Sequence, residues 1–203
     1  MGLTGENNMI LTTQQLMDQY SNYGNPKNKI SREVKERKLF PIVKGLYETD
    51  EFVGGPRLAQ FILGPSYISF DYALYRYSII PEAVYNTITC ATFDKRKRKR
   101  FDTMFGTFLY RDVPKDVFKY GVNFVTDGTY TFQIATQEKA ICDKLYTISP
   151  ARSLKEFKRL LFEDLRVNKE TLNKMNKEFI FKIAPMYKTK NLNYLVKYFE
   201  EIQ

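Results

Sequence analysis

Histidine is absent from this 203-residue chain, and with it go Ser-His-Asp and Cys-His catalysis, the HExxH metalloenzymes and histidine phosphotransfer. Cysteine is nearly absent. Cys90 and Cys142 stand far apart with no CxxC pair, which indicates neither a zinc site nor a disulfide framework. Their apolar neighbours mark both as core residues. No Walker A, GxGxxG or EF-hand pattern occurs, so an enzyme here would have to work with carboxylates, lysine or tyrosine. No apolar run approaches the roughly 18 residues that identify a membrane span. Residues 1–24 lack the basic start and apolar middle of a secretory signal. The expected location is therefore cytoplasmic, with no membrane partner. Acidic residues are too few to balance the basic ones: 23 against 32, for a net charge of +9. That excess invites an anionic partner, whether nucleic acid, acidic protein or lipid. The 43% hydrophobic and 27% charged composition is that of a soluble globular protein, long enough for one large domain or two small ones.

Met1–Met9 has no periodicity and reads as a loose start. Leu11, Leu16 and Tyr20, with Thr12 or Thr13 as cap, predict a first helix over 13–20. Pro26 opens a second over 26–37, with Ile30 and Val34 inward. Lys27, Lys29, Arg32 and Lys35 are expected on its other side. Leu39–Val43 and Gly45–Thr49 read as two short strands with a basic turn at Lys44. Helix, turn, helix and two-stranded wing is the winged-helix pattern. The turn Asn22–Pro26 is long for that pattern. Lys27–Lys44 holds seven basic residues against Glu33 and Glu36. This is either a solvated helix face or a face for phosphate and base-edge contacts.

Residues 50–57, with Gly54-Gly55-Pro56, read as the joint between two domains, 1–53 and 54–203. Arg57–Leu63 is predicted helical, carrying Leu58, Phe61 and Ile62. The segment Gly64–Glu82 is the hub: Ser66–Ile68 extended, Ser69 a helix cap, then Phe70, Ala73, Leu74 and Tyr77 on one apolar face. Strands are expected over Ala83–Cys90, Thr103–Arg111, Val122–Val125 and Tyr130–Ile134, the last two joined by a turn at Asp127-Gly128. Thr136 caps the next helix, on which Lys139 and Asp143 at i, i+4 can pair while Glu138 diverges. Ser153–Glu156 is a capping box opening a helix to Leu165. Helices over 169–184 and 192–202 follow, the latter opened by Asn191. The run Lys95, Arg96, Lys97, Arg98, Lys99 and Arg100 is too self-repelling to bury and reads as an exposed hairpin tip. It is a solvated loop, a phosphate-binding finger or a contact for an acidic protein.

The hub GPSYISFDYALYRYSIIPE resembles the central segment of the AbiEi antitoxin family of type IV abortive-infection toxin–antitoxin systems. The resemblance continues through Phe105–Tyr110 and Ile134–Leu145, extends back to Lys44–Tyr47, and spans roughly residues 10–165 in order. It implies an α+β protein, an N-terminal winged helix-turn-helix followed by a mixed α/β antitoxin domain with C-terminal helices. It implies an antitoxin that also represses its own operon by binding inverted repeats in double-stranded DNA. Its functional partner would be a nucleotidyltransferase-like toxin. The DNA-contacting residues would be Lys27, Asn28, Lys29, Ser31, Arg32, Lys35 and Lys44. Ser69, Tyr72, Thr136, Glu138, Lys139 and Asp143 match the family motif in structural roles. No catalytic residue, metal or cofactor is implied. Two other readings stay open: a winged-helix regulator without a toxin, and a relative of nucleases.

Overall fold

The computed structural model describes residues 9–82 and 85–202, and within them the chain is mixed α+β. Met1–Asn8 and Ala83-Val84, part of the expected loose start and of the expected strand Ala83–Cys90, lie outside the described residues. The chain opens with β1 (Ile10–Thr12), a strand too short to leave a readable pattern. Helix α1 (Thr13–Gln19) begins in a capping box: Gln15 N–H donates to Thr12 Oγ1 and Thr12 N–H donates to Gln15 Oε1, which satisfies two orphan donors at once. Helix α2 (Pro26–Lys35) is capped by Asn25, whose side chain accepts from Asn28 N–H. Pro26 loses nothing at its first position. Strands β2 (Phe40–Val43) and β3 (Leu46–Glu48) follow, and β3 lies between β1 and β2, antiparallel to both. Gly45 makes the turn at φ 84, a conformation that glycine adopts without steric cost. Leu11, Leu16, Tyr20, Ile30 and Leu39 form the small core of this unit.

Phe40, Ile42 and Val53 instead join the large core of the rest of the chain. The expected joint at Gly54–Pro56 is not a loose connection. Gly55 is the first residue of α3 (Gly55–Ile62), buried so closely that an added Cβ would lie 2.6 Å from Ile88 Cδ1. Phe61, expected among the apolar residues of this helix, is exposed, whereas Leu58 and Ile62 are buried.

A six-stranded sheet forms the centre, in the order β6-β7-β5-β4-β9-β8. Its strands are β4 (Tyr67–Ile68), β5 (Thr87–Thr92), β6 (Lys99–Thr103), β7 (Gly106–Asp112), β8 (Val122–Asp127) and β9 (Tyr130–Ala135). The pairs β5–β7 and β4–β9 are parallel, the other three antiparallel. The strand expected over 103–111 is β7, and an unexpected strand, β6, precedes it and turns into it at Thr103–Gly106. The basic run is correspondingly not a hairpin tip. It leaves β5 and crosses to the sheet edge, where Lys99 and Arg100 already belong to β6. The hairpin β8–β9 turns at Asp127–Tyr130, with Gly128 at φ 63.

Side chains alternate across the sheet. Ile68, Ile88, Cys90, Tyr110 and Ile134 share the face covered by α3, where Tyr110 donates its hydroxyl to Ala59 O at 2.6 Å. Tyr67, Thr89, Ala91 and Arg111 share the other, covered by α4 (Phe70–Arg76) and α5 (Gln137–Tyr146). With both faces covered, Ile88–Thr92 is buried without a break, the burial pattern of a central strand flanked by helices on both sides. Beyond α5 lies a further helical layer: α6 (Leu154–Arg159), continuing into a π-helical turn Leu160–Asp164, then α7 (Lys169–Asn173), α8 (Lys177–Ile183), a 3-10 turn Ala184–Tyr187 and α9 (Lys190–Glu201). The single helix expected over 169–184 is broken at Lys174–Asn176, where Asn176 caps a new start by accepting from Phe179 N–H. Asn191 does not open the last helix. It lies within α9, buried, and ties α9 to the end of α5 and the connection that follows by accepting from Ala151 N–H and donating toward Leu145, Ile148 and Ser149 carbonyls.

Candidate functional site

Three groups of residues bear chemistry. The first is the outer face of α2. Its inner face is fixed by Ile30 and by Glu33, which is buried against Lys29. Packing of that face leaves Lys27, Asn28, Ser31, Arg32 and Lys35 exposed together, with Lys44 exposed at the β2–β3 turn. Arg32 retains 60% of its side-chain surface despite a 3.8 Å approach to Glu36. Lys38 is the closer partner of Glu36, at 2.7 Å, and lowers the carboxyl pKa of that residue, chiefly through the hydrogen bond. Lys29 departs from the expected pattern. Its side chain is only 14% exposed, paired with Glu33, and its ammonium lies over the Tyr20 and Tyr23 rings. Two aromatic faces and a carboxylate capture the charge inside the unit. Ser31 Oγ turns back to donate to Lys27 O.

The second group is a polar node wholly inside the protein. Lys139 and Asp143, both 0% exposed, pair at 2.9 Å one turn apart on α5. Asp143 Oδ1 accepts from Lys139 and from the Tyr187 hydroxyl (2.6 Å), and Oδ2 from the hydroxyls of Tyr67 (2.9 Å) and Ser69 (2.7 Å). Lys139 also donates to Tyr187 Oη at 2.7 Å and sits against the Tyr67 and Tyr187 rings. Four donors on one carboxylate and three residues around one ammonium are what a buried ion pair requires to offset its lost hydration. Burial first, and Asp143 next, push both tyrosine pKa values well above the ordinary range, so their hydroxyls stay protonated as donors. The node joins β4, the start of α4, α5 and the 3-10 turn. Ser69, expected to cap α4, occupies the capping position but makes no capping bond. Its hydroxyl is drawn to the stronger acceptor, the Asp143 carboxylate. Of the other motif residues, Thr136 caps α5 by accepting from Lys139 N–H, and Glu138 accepts from Asn176 N–H, tying α5 to α8. Tyr72 N–H donates to Thr89 Oγ1. Tyr67 and Tyr187 were not singled out in the sequence. Tyr187 lies 44 residues from Asp143, and no local spacing points to it.

The third group is the basic run. Arg96 to Arg100 are exposed and Lys95 half-buried, its ammonium on Gly64 O. Arg100 forks onto Asp102 through Nε and Nη2.

Among the described residues no group of three or more His, Cys, Asp or Glu is placed to hold a metal ion, and no helix is long and apolar enough to cross a membrane. Cys90 and Cys142 are unpaired and buried, and burial raises both thiol pKa values. A thiol reagent should therefore read close to zero on the native protein and both cysteines after denaturation without reductant. Stoichiometric zinc by elemental analysis would contradict this assignment. The chain matches no protein-family model and no curated protein.

Proposed function

We propose that this protein is a type IV antitoxin of the AbiEi kind that also represses its own operon. The N-terminal unit is read as a winged helix, with α2 the recognition helix and β2–β3 the wing. One observation carries the DNA reading: packing of Ile30, Glu33 and Val34 leaves Lys27, Arg32 and Lys35 on a common free face, with Lys44 at the wing tip. Such a set meets the needs of phosphate and base-edge contacts. The ordered resemblance over residues 10–165 supports the antitoxin reading, with a nucleotidyltransferase-like toxin as the functional partner and the residues from about 54 onward carrying antitoxicity. The operator is double-stranded DNA with inverted repeats.

Mobility-shift titration of the full chain on its own promoter is the test. Arg32→Ala and Lys35→Ala should each weaken binding. Where the lost contact is to phosphate, the slope of log K against log salt should flatten by about 0.9, and where it is to a base edge, sequence preference should relax instead. Lys29→Met should change binding less than either, because the Lys29 charge is already engaged within the unit. Unchanged affinity in both outer-face variants, with normal melting curves, would remove α2 from the interface.

A further inference from the structure

A cleft of about 210 Å³ lies past the carboxyl ends of the parallel pair β5–β7, lined by Arg96, Lys97, Arg98, Arg111, Asp112 and Thr147. Open α/β sheets commonly hold ligands in the crevice outside the carboxyl ends of their strands. Arg111 is the central residue. Register with Ala91 puts it on the α5 face of the sheet, where it also lines a smaller cavity of about 50 Å³ beside Asp71 and Thr89. Burial, then the neighbouring Arg98, lower its guanidinium pKa, with Asp71 opposing. The Asp71 carboxylate is itself engaged by Lys144. Among the described residues neither Arg98 nor Arg111 has a side-chain hydrogen bond or ion pair. Arg98 and Arg111 thus line one cleft, Arg111 partly desolvated, while Asp71 is engaged by Lys144 and Asp112 accepts from Arg96 N–H through Oδ2, its buried Oδ1 making no hydrogen bond.

The loop carrying the other cations is tied down. Arg96 N–H donates to Asp112 Oδ2 at 2.7 Å, Lys97 N–H to Lys95 O at 2.8 Å, and the Lys95 ammonium to Gly64 O at 3.1 Å. Asp94 and Arg96 are held at φ 56 and 63, left-handed conformations that cost free energy in residues with a side chain and gather at functional sites. With the backbone of the loop fixed, a ligand has only the side chains left to order. The volume sets the size of that ligand: it falls below the roughly 300–1,000 Å³ of pockets that enclose drug-sized molecules. Paired guanidiniums set its chemistry, since their planar forks match the oxygens of phosphate.

We propose that this cleft binds a phosphate group, as inorganic phosphate or the terminal phosphate of a small molecule, gripped by Arg98 and Arg111 with Arg96 and Lys97 at its rim. The proposal is independent of the DNA-binding role given to α2. Calorimetric titration of the full chain with inorganic phosphate and with pyrophosphate at low ionic strength tests it. Saturable binding is expected, with a ligand-dependent rise in melting temperature. Arg111→Gln and Arg98→Gln should each weaken binding at least tenfold, while the ligand-free melt stays level or rises because an uncompensated charge is gone. Lys155→Gln, a surface change outside the cleft lining, should bind as wild type. Absence of saturable binding at millimolar phosphate, or undiminished binding in both arginine variants, overturns the proposal. So does a loss of duplex-DNA affinity in Arg111→Gln without any phosphate binding by the wild type, since that outcome assigns the cleft to a polymer backbone.

Discussion

Replacing Lys139 with methionine should cost about 3–5 kcal/mol, because removing one member of a buried ion pair leaves the other uncompensated. For a chain of this size that corresponds to a fall in melting temperature of roughly 6–20 °C, at about 2–4 °C per kcal/mol. The hydroxyls of Tyr67, Ser69 and Tyr187 would still face Asp143, so its hydrogen bonds survive in part, but no opposite charge remains. Methionine fills much the same volume, which keeps a cavity from adding to the loss. The double variant Lys139→Met with Asp143→Leu should recover part of the stability, and the double-mutant cycle then measures the coupling. Equilibrium denaturation of the three variants is the measurement. A Lys139→Met protein within 1 kcal/mol of wild type would show that the node contributes little.

The second large effect concerns the first 50 residues. Gly54-Gly55-Pro56 reads in the sequence as a boundary, and on that reading a fragment from Glu51 to Gln203 folds alone. The core argues for strong coupling across it. Phe40 and Ile42 are buried with the residues of the larger unit. Glu48, 0% exposed, accepts the Tyr130 hydroxyl at 2.6 Å and the amides of Thr49 and Asp50. Arg57, paired with Asp127 at 2.7 Å, lies over the Tyr130 ring. Two buried side chains at roughly 1.5–3 kcal/mol each put the loss on truncation at about 3–6 kcal/mol. The full chain should therefore melt in one transition, and the fragment well below it. Two separate transitions in the full chain, or a fragment as stable as the whole, would establish independent units.

What could be read from the sequence was what local physics decides. Thr12 or Thr13, Pro26, Thr136 and Ser153 announce helix starts because a cap or first-turn residue acts within one turn, and each helix begins there. Asp127-Gly128 announces its hairpin for the same reason. The failures are non-local. Ser69 and Asn191 have the chemistry of caps, but tertiary acceptors and donors claim their side chains. Lys29 sits at the margin of the outer face of α2, and the rings of Tyr20 and Tyr23 together with the Glu33 carboxylate decide its direction. A spacing of i, i+4 predicts that Lys139 can meet Asp143. It cannot say that the pair is dry, since that depends on a strand before it and a turn after it.

The same node carries a consequence for the timing of synthesis. Tyr67 and Ser69 are made first, Asp143 follows them by 76 and 74 residues, and Tyr187 comes a further 44 residues on. The last partner follows the first by roughly 120 residues, or about 6–24 s of elongation at some 5–20 residues per second. In the later part of that interval, once Asp143 has been made, the centre of the sheet cannot close dry without stranding a carboxylate one donor short. The larger unit is thus held back until Tyr187 has been made, and the first sheet, whose Phe40, Ile42 and Glu48 pack into it, waits with it. A nascent chain cut short before Tyr187 should therefore carry an unfinished core, which is the species that cellular proteases would meet first.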